Sequence, residues 1–165
     1  MGQLIEQSIA DHAIQDGFTD LGTLEAVVYG PGAPEVVSSD TAIDGDASLV
    51  FNFPGENWGG GYLQLETSKD ISAFTALKFS LNKPDSLVNC EIKLESVASD
   101  AVVYLADYTG TELSDGFVEY TIPLADFSGL DNTELTIPFS IWNPEGSNGA
   151  YVKATVLIDN IYFSM

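Results

Sequence analysis

The chain is predicted to fold as an all-β antiparallel sandwich or barrel. Three observations carry that expectation. Apolar and polar residues alternate with period two from Leu24 onward, turn residues punctuate the runs at short intervals, and no long amphipathic helix pattern separates them. At 165 residues and 45% hydrophobic content, one domain with a packed core is expected.

The elements follow in order. Residues 3–15 carry weak helical spacing, with Leu4, Ile5, Ile9 and Ala13 near one face, and Asp16-Gly17 and Asp20 break it. Residues 1–20 are therefore expected to be an N-terminal extension, either a linker or tag or a short helical cap, and residues 21–165 the β domain. Strands are predicted at 25–29 and 35–38, on either side of Pro31-Gly32, then at 48–53 after Asp44-Gly45. Pro54-Gly55 separates 48–53 from 62–66, and 76–82 stops at Lys83-Pro84-Asp85. The runs 88–96, 101–106 and 117–122 come next, the last one after Asp115-Gly116. Run 135–142 ends before Pro144-Glu145-Gly146, and 154–163 closes the chain. Leu124-Ala125-Asp126-Phe127 is the one place for a helical turn within the β region. No internal repeat or low-complexity tract is present.

Alternation assigns the faces. Val88, Cys90, Ile92 and Leu94 are expected to point to the core, which turns Asn89, Glu91, Lys93 and Glu95 outward. By the same rule Leu77, Phe79 and Leu81 face in, and so do Leu63 and Leu65, with Tyr62, Gln64 and Glu66 facing out. Ile137, Phe139 and Ile141 go in, while Ser140 and Trp142 come out.

Charge excludes several partners. The 25 acidic residues face only 5 basic ones, all Lys, for a formal net charge of -20. Such a surface repels phosphate backbones and anionic headgroups, so neither nucleic-acid binding nor membrane-surface binding is expected. No stretch approaches the ~18 apolar residues of a membrane span, and the N-terminus lacks signal-peptide character. Met1-Gly2 reads as an expression start on an excised fragment whose targeting signal lies elsewhere. Cys90 allows no internal disulfide and reads as a small buried hydrophobe. One His and one Cys cannot build a soft metal site.

An outward Trp among amides, carboxylates and Lys has the make-up of a sugar-binding face, where rings stack on pyranose C–H faces and planar polar groups contact hydroxyls. Trp58 lies in Asn57-Trp58-Gly59-Gly60-Gly61, just before the outward Tyr62, and Trp142 lies at a strand end. Two readings stand for each indole: ligand contact, or a cap on the core. The glycine triplet has neither the strand-to-helix context nor the following Lys of a phosphate loop; it suits close backbone approach.

In the closing run, Asp159-Asn160 interrupts an apolar strand. A carboxylate there must find a cation or strong donors, because leaving it buried and unpaired costs several kcal/mol. Calcium, which takes six to eight oxygen ligands, is the natural candidate. Glu25, Asp44 and Asp46 are expected to join Asp159 if the first and last strands are neighbours; for Asp44 and Asp46 a solvated turn is the equal alternative.

Catalysis has little support. Glu66, Glu91, Glu95 and Glu119 offer carboxylates for glycoside hydrolysis, but acids are so numerous that a pair means little. His12, the only imidazole, falls in the N-terminal segment, away from any triad built into the strands. The chain is read as non-enzymatic.

Three stretches resemble the β-jelly-roll carbohydrate-binding modules attached to secreted bacterial glycoside hydrolases. They are Leu49 to Phe53 with Trp58 to Leu65, then Tyr120 to Phe127, and the closing Leu157-Ile158-Asp159-Asn160-Ile161-Tyr162-Phe163. The ending Ile-Asp-Asn-Ile-x-Phe is the most specific. The resemblance implies a jelly-roll sandwich, a structural calcium ligated by Asp159 with an acidic residue near the first strand, which Glu25 matches, and a sugar site on one sheet. Trp58, Tyr62, Gln64, Asn89, Glu91, Lys93 and Trp142 are the positions whose type and facing fit that site.

The expected function is non-catalytic binding of a neutral, β-glucan-type polysaccharide or oligosaccharide, by an extracellular or cell-surface monomer that targets a parent glycoside hydrolase attached in cis. The alternative is an accessory β-sandwich that packs against a catalytic domain and meets no sugar. A free-standing glycosidase or lyase is a third reading.

Overall fold

The computed structural model describes residues 24–43 and 47–165. Two antiparallel sheets face each other. The first runs β1 (Leu24–Tyr29), β4 (Gly60–Leu65), β11 (Phe139–Glu145) and β6 (Asn89–Ser96), with β7 (Asp100–Tyr104) and the short β10 (Leu135–Ile137) also paired to β6. The second runs β2 (Glu35–Ser39), β3 (Ser48–Phe53), β12 (Ala154–Ser164), β5 (Ala76–Asn82), β9 (Val118–Pro123) and β8 (Thr111–Glu112). This is the antiparallel β-sandwich that the alternation predicts.

Period two explains the layers. In β6, Cys90, Ile92 and Leu94 are buried while the residues between them are half-exposed. β12 reads differently: it lies between β3 and β5, and Asp159 and Tyr162 are buried as well as the core-facing Val156, Ile158, Ile161 and Phe163. Phe79 of β5 meets Phe139 of β11 edge-on, with 5.0 Å between centroids, and ties the two sheets together.

Several boundaries depart from the sequence expectation. Pro138 splits the predicted strand 135–142 into β10 and β11, because proline has no N–H to give the ladder. β7 stops at Tyr104, where a 3-10 turn, Leu105–Asp107, drops Leu105 into the core. The anticipated helical turn is present as Leu124–Asp126, and β8 was not foreseen. Val88 was expected inside but is 46% exposed, since it precedes β6 and lies beyond its pleat. The expected N-terminal extension of residues 1–20 lies outside the described residues, as do Asp44 and Asp46.

Candidate functional site

The outer face of the first sheet gathers most of the predicted sugar-site residues. Register places Tyr29, Gly60, Trp142, Glu91 and Tyr104 opposite one another across β1, β4, β11, β6 and β7. One row along, Val27 faces Tyr62 and Tyr62 faces Ser140, while Lys93 faces Val102. Glu25 faces Gln64, and Glu95 faces both Ile137 and Asp100.

Between these rows lies an open trough of about 350 Å³, lined by Tyr29, Tyr62, Gln64, Lys93, Glu95, Ile137 and Trp142. Tyr62 and Trp142 are nearly parallel, at 16° with 6.2 Å between centroids. Tyr29 stands edge-on to Trp142 at 6.5 Å and tilted to Trp58 at 5.9 Å. The four rings form one aromatic cluster at the β1 end of the trough. A larger hollow of about 530 Å³ lies on the second sheet beside Lys83 and Lys153, but no aromatic ring lines it.

Trp142 is held in place. Its Nε1–H donates to Ser140 Oγ at 3.0 Å, and that hydroxyl donates to the Lys93 carbonyl at 2.7 Å. The indole N–H is therefore occupied, and what the ring offers a ligand is its face. Ser140 points outward as expected yet is fully buried, because the indole covers it. Gly60 makes room: a Cβ there would meet the indole at 2.3 Å. The glycine triplet thus serves close packing, in keeping with its lack of phosphate-loop context.

The polar groups are arranged around the rings. Lys93 Nζ is 5.9 Å from the Trp142 ring centre and pairs with Glu95 at 3.7 Å and Asp100 at 3.6 Å. Gln64 donates to the carbonyls of Leu65 and Thr136. Asn143 Nδ2 donates to Glu91 Oε2 at 2.8 Å, and its Oδ1 accepts from Gly59 N at 3.0 Å, so one side chain links β6 to the Trp58 loop. Burial, with Glu95, Glu25 and Tyr29 nearby, holds the Tyr62 phenol above its usual range, so it remains a hydrogen-bond donor.

Of the predicted sugar-site residues, the structure brings Tyr62, Gln64, Lys93 and Trp142 into the trough and sets Glu91 and Trp58 at its margin. Asn89 is elsewhere engaged: its Oδ1 accepts from Cys90 N and Ala106 N and anchors the turn after β7. Trp58 is 43% exposed and Trp142 half-buried, so neither indole is a core cap. Tyr29, Glu95, Ile137 and Asn143 were missed as site residues. Tyr29 was legible, since it is outward by the alternation that buries Leu24 and Ala26. Asn143, at φ 54°, left no signal in the sequence pattern.

The predicted metal ligands are not all brought together. β1 and β12 belong to different sheets. Glu25 projects from the outer face of the first sheet beside Gln64, whereas Asp159 is fully buried on the second. The convergence of Glu25 on Asp159 therefore does not occur, because the first and last strands are not neighbours. Asp159 Oδ2 accepts from Ile43 N at 2.8 Å and Oδ1 from Asn160 N at 2.9 Å, at a bulge where Asn160 takes φ 53°. Ser80, opposite Asp159 on β5, is fully buried; Ser80 Oγ and Asn160 Oδ1 are buried oxygens without a hydrogen-bond partner. Among the described residues no group of three or more His, Cys, Asp or Glu side chains is placed to hold a metal.

This sandwich, with a ring-lined trough on one sheet, has the fold of β-sandwich carbohydrate-binding modules. The chain is similar to the family 30 carbohydrate-binding module of a cellulosomal cellulase of Clostridium thermocellum, with TM-score 0.61, 16% identity, and coverage of 81% of this chain and 83% of that one. It is similar also to the family 11 module of Clostridium thermocellum solved with a β-1,3-1,4-mixed-linked tetrasaccharide, with TM-score 0.60, 12% identity, and coverage of 86% and 88%. A β-1,2-glucanase from Parabacteroides distasonis contains a like unit, with TM-score 0.60 and 15% identity over 85% of this chain and 22% of that one. At these identities the likeness is one of fold. No protein-family profile and no curated protein sequence matches the chain.

Proposed function

We propose that this chain is a non-catalytic module that binds a neutral polysaccharide of the β-glucan type and keeps an attached glycoside hydrolase near its substrate. The observation that carries the reading is the trough in which Trp142, Tyr62 and Tyr29 converge with Gln64, Lys93 and Glu95. The rings present faces on which pyranose C–H groups stack, and the amide, carboxylate and ammonium groups at their edges bridge hydroxyls. Glu25, Glu95 and Asp100 on this face, against Lys93 as its cation, favour a neutral chain over uronate or sulfated glycans. The fold relatives support this: one was solved with a mixed-linked glucan tetrasaccharide.

Affinity gel electrophoresis on laminarin, lichenan, xylan, agar and alginate tests it. Retardation by a neutral glucan is the expected result, and absence of retardation by every polymer, with no calorimetric heat, overturns it. The accessory-sandwich reading instead expects Trp58 and Trp142 to be covered by an interdomain contact in the parent protein, which quenching of their fluorescence by a soluble quencher in that protein tests. Placement outside the cell or on its surface, and action as a monomer, accompany the proposed role.

A structural calcium at Asp159 belongs to the same proposal. What supports it is chemistry: the Asp159 carboxylate is buried, Ser80 Oγ opposite it and Asn160 Oδ1 next in the chain are buried oxygens without a hydrogen-bond partner, and calcium takes oxygen ligands. An ion there would brace the β12 bulge against the segment at Ile43.

A further inference from the structure

Two exposed apolar side chains on the same sheet face stand outside the trough. Val102 and Tyr104 of edge strand β7 are 41% and 47% exposed, while Ala101 and Val103 beside them turn into the core. Val102 is in register with Lys93 and Tyr104 with Glu91, so both continue the face that carries the trough.

The row Tyr29, Gly60, Trp142, Glu91 and Tyr104 crosses five neighbouring strands. Four interstrand steps of about 4.8 Å separate its ends by roughly 19 Å. An extended β-linked pyranose chain advances by close to one such step per sugar. Trp142 and Tyr104 are two steps apart, and in an extended β-1,4 ribbon alternate sugars turn the same face to one side. Between them the path passes over β6, where Glu91, fixed by Asn143, and Lys93 flank it with hydrogen-bonding groups.

We infer that Tyr104 is a second stacking platform beyond the trough, meeting a sugar of the bound glycan two units along from the one on Trp142. This rests on the polysaccharide-binding reading above.

Calorimetry with cello-oligosaccharides of two to six residues, together with gels containing lichenan, tests the inference. Kd is expected to fall about tenfold or more from the disaccharide to the tetrasaccharide and then to level off. Tyr104→Thr removes the ring and keeps strand propensity; it is expected to raise Kd for the tetra- and hexasaccharide by roughly three- to tenfold. Tyr104→Phe keeps the ring and is expected to bind like the wild type. Leu113→Ala, at an exposed apolar residue that follows β8 on the second sheet, is expected to change nothing.

An affinity that does not vary with chain length, a Tyr104→Thr variant equal to wild type, or an equal loss in Leu113→Ala overturns the inference while leaving polysaccharide binding intact. So does retardation by another polymer with no binding of cello-oligosaccharides or lichenan. A wild-type protein that binds no polymer at all removes both.

Discussion

The indole of Trp142 lies over the bare backbone of Gly60. A methyl group built on that glycine would sit 2.3 Å from Cδ2 and 2.4 Å from Cε3. Register makes the pair direct cross-strand neighbours, so the widest ring of the trough occupies space that only glycine leaves open. Gly60→Ala is therefore expected to push the indole out of line and weaken glycan binding. Trp142→Ala removes the stacking surface itself and is expected to cost about 2 kcal/mol or more, roughly thirtyfold in Kd. Titration calorimetry of both variants against lichenan checks this, and unaltered affinity in Trp142→Ala would show that ligand does not meet this ring.

Asn143 couples the Trp58 loop to Glu91 through two hydrogen bonds and sits at φ 54°. Asn143→Ala loses both bonds and leaves a β-carbon in the left-handed region, for an expected loss of about 2–4 kcal/mol in unfolding free energy. Asn143→Gly relieves the backbone and is expected to recover about 1 kcal/mol of that. Urea denaturation of the two variants gives the difference, whose sign must favour Gly.

Asp159 receives two backbone N–H groups inside a buried bulge. Asp159→Ala orphans those donors and is expected to destabilise the fold by about 2–5 kcal/mol whether or not a cation binds. The calcium proposal adds a separate expectation. Chelation is expected to lower the Tm of the wild type and added calcium to restore it, since an ion bound only by the native state contributes RT ln(1 + [L]/Kd). An identical melting curve with and without chelator would mean that no ion bound at this carboxylate contributes to the stability of the native fold.

Alkaline stability has a defined sign. Burial, reinforced by the hydrogen bond from its hydroxyl to Asp126 at 2.7 Å, pushes the Tyr108 phenol up to about 12. Tyr62, Tyr120 and Tyr162 are raised too, burial being the main cause. In the unfolded chain these phenols ionise near ~10. Their stabilisation is fully present below that pH and is lost as pH rises toward about 12, because the unfolded state then binds fewer protons than the native one. Melting temperatures are expected to hold level below about pH 10 and to fall above it.

Cys90 is buried, and burial pushes its thiol up to about 12. Iodoacetamide at neutral pH is expected to leave the native protein unmodified and to alkylate it once denatured. Rapid native alkylation would show that β6 opens readily.

Much of the architecture was written in local pattern. Leu77, Phe79 and Leu81, like Cys90, Ile92 and Leu94, alternate with polar neighbours, and a pleated strand must send the two sets to opposite faces. The same rule set Tyr62, Gln64, Lys93 and Trp142 on one side of their strands. It failed at a strand end and at a register shift: Val88 lies before the pleat begins, and Ile137, expected inside, lines the outer trough; Asn89 faces outward as expected, but its Oδ1 is taken by the Cys90 and Ala106 N–H groups. At Pro138 the ladder breaks for want of a donor.

Side-chain facing is a property of consecutive residues, so Trp142 and Tyr62 were legible as outward without any knowledge of their neighbours. Which outward residues meet is a matter of strand order. β1 lies beside β4 rather than β12, a pairing between segments far apart in the chain, and this carried Tyr29 into the aromatic cluster and Glu25 away from Asp159. Periodicity along a strand cannot encode such neighbours, because the hydrogen bonds that choose them run across strands and are settled by how the two sheets close over one core.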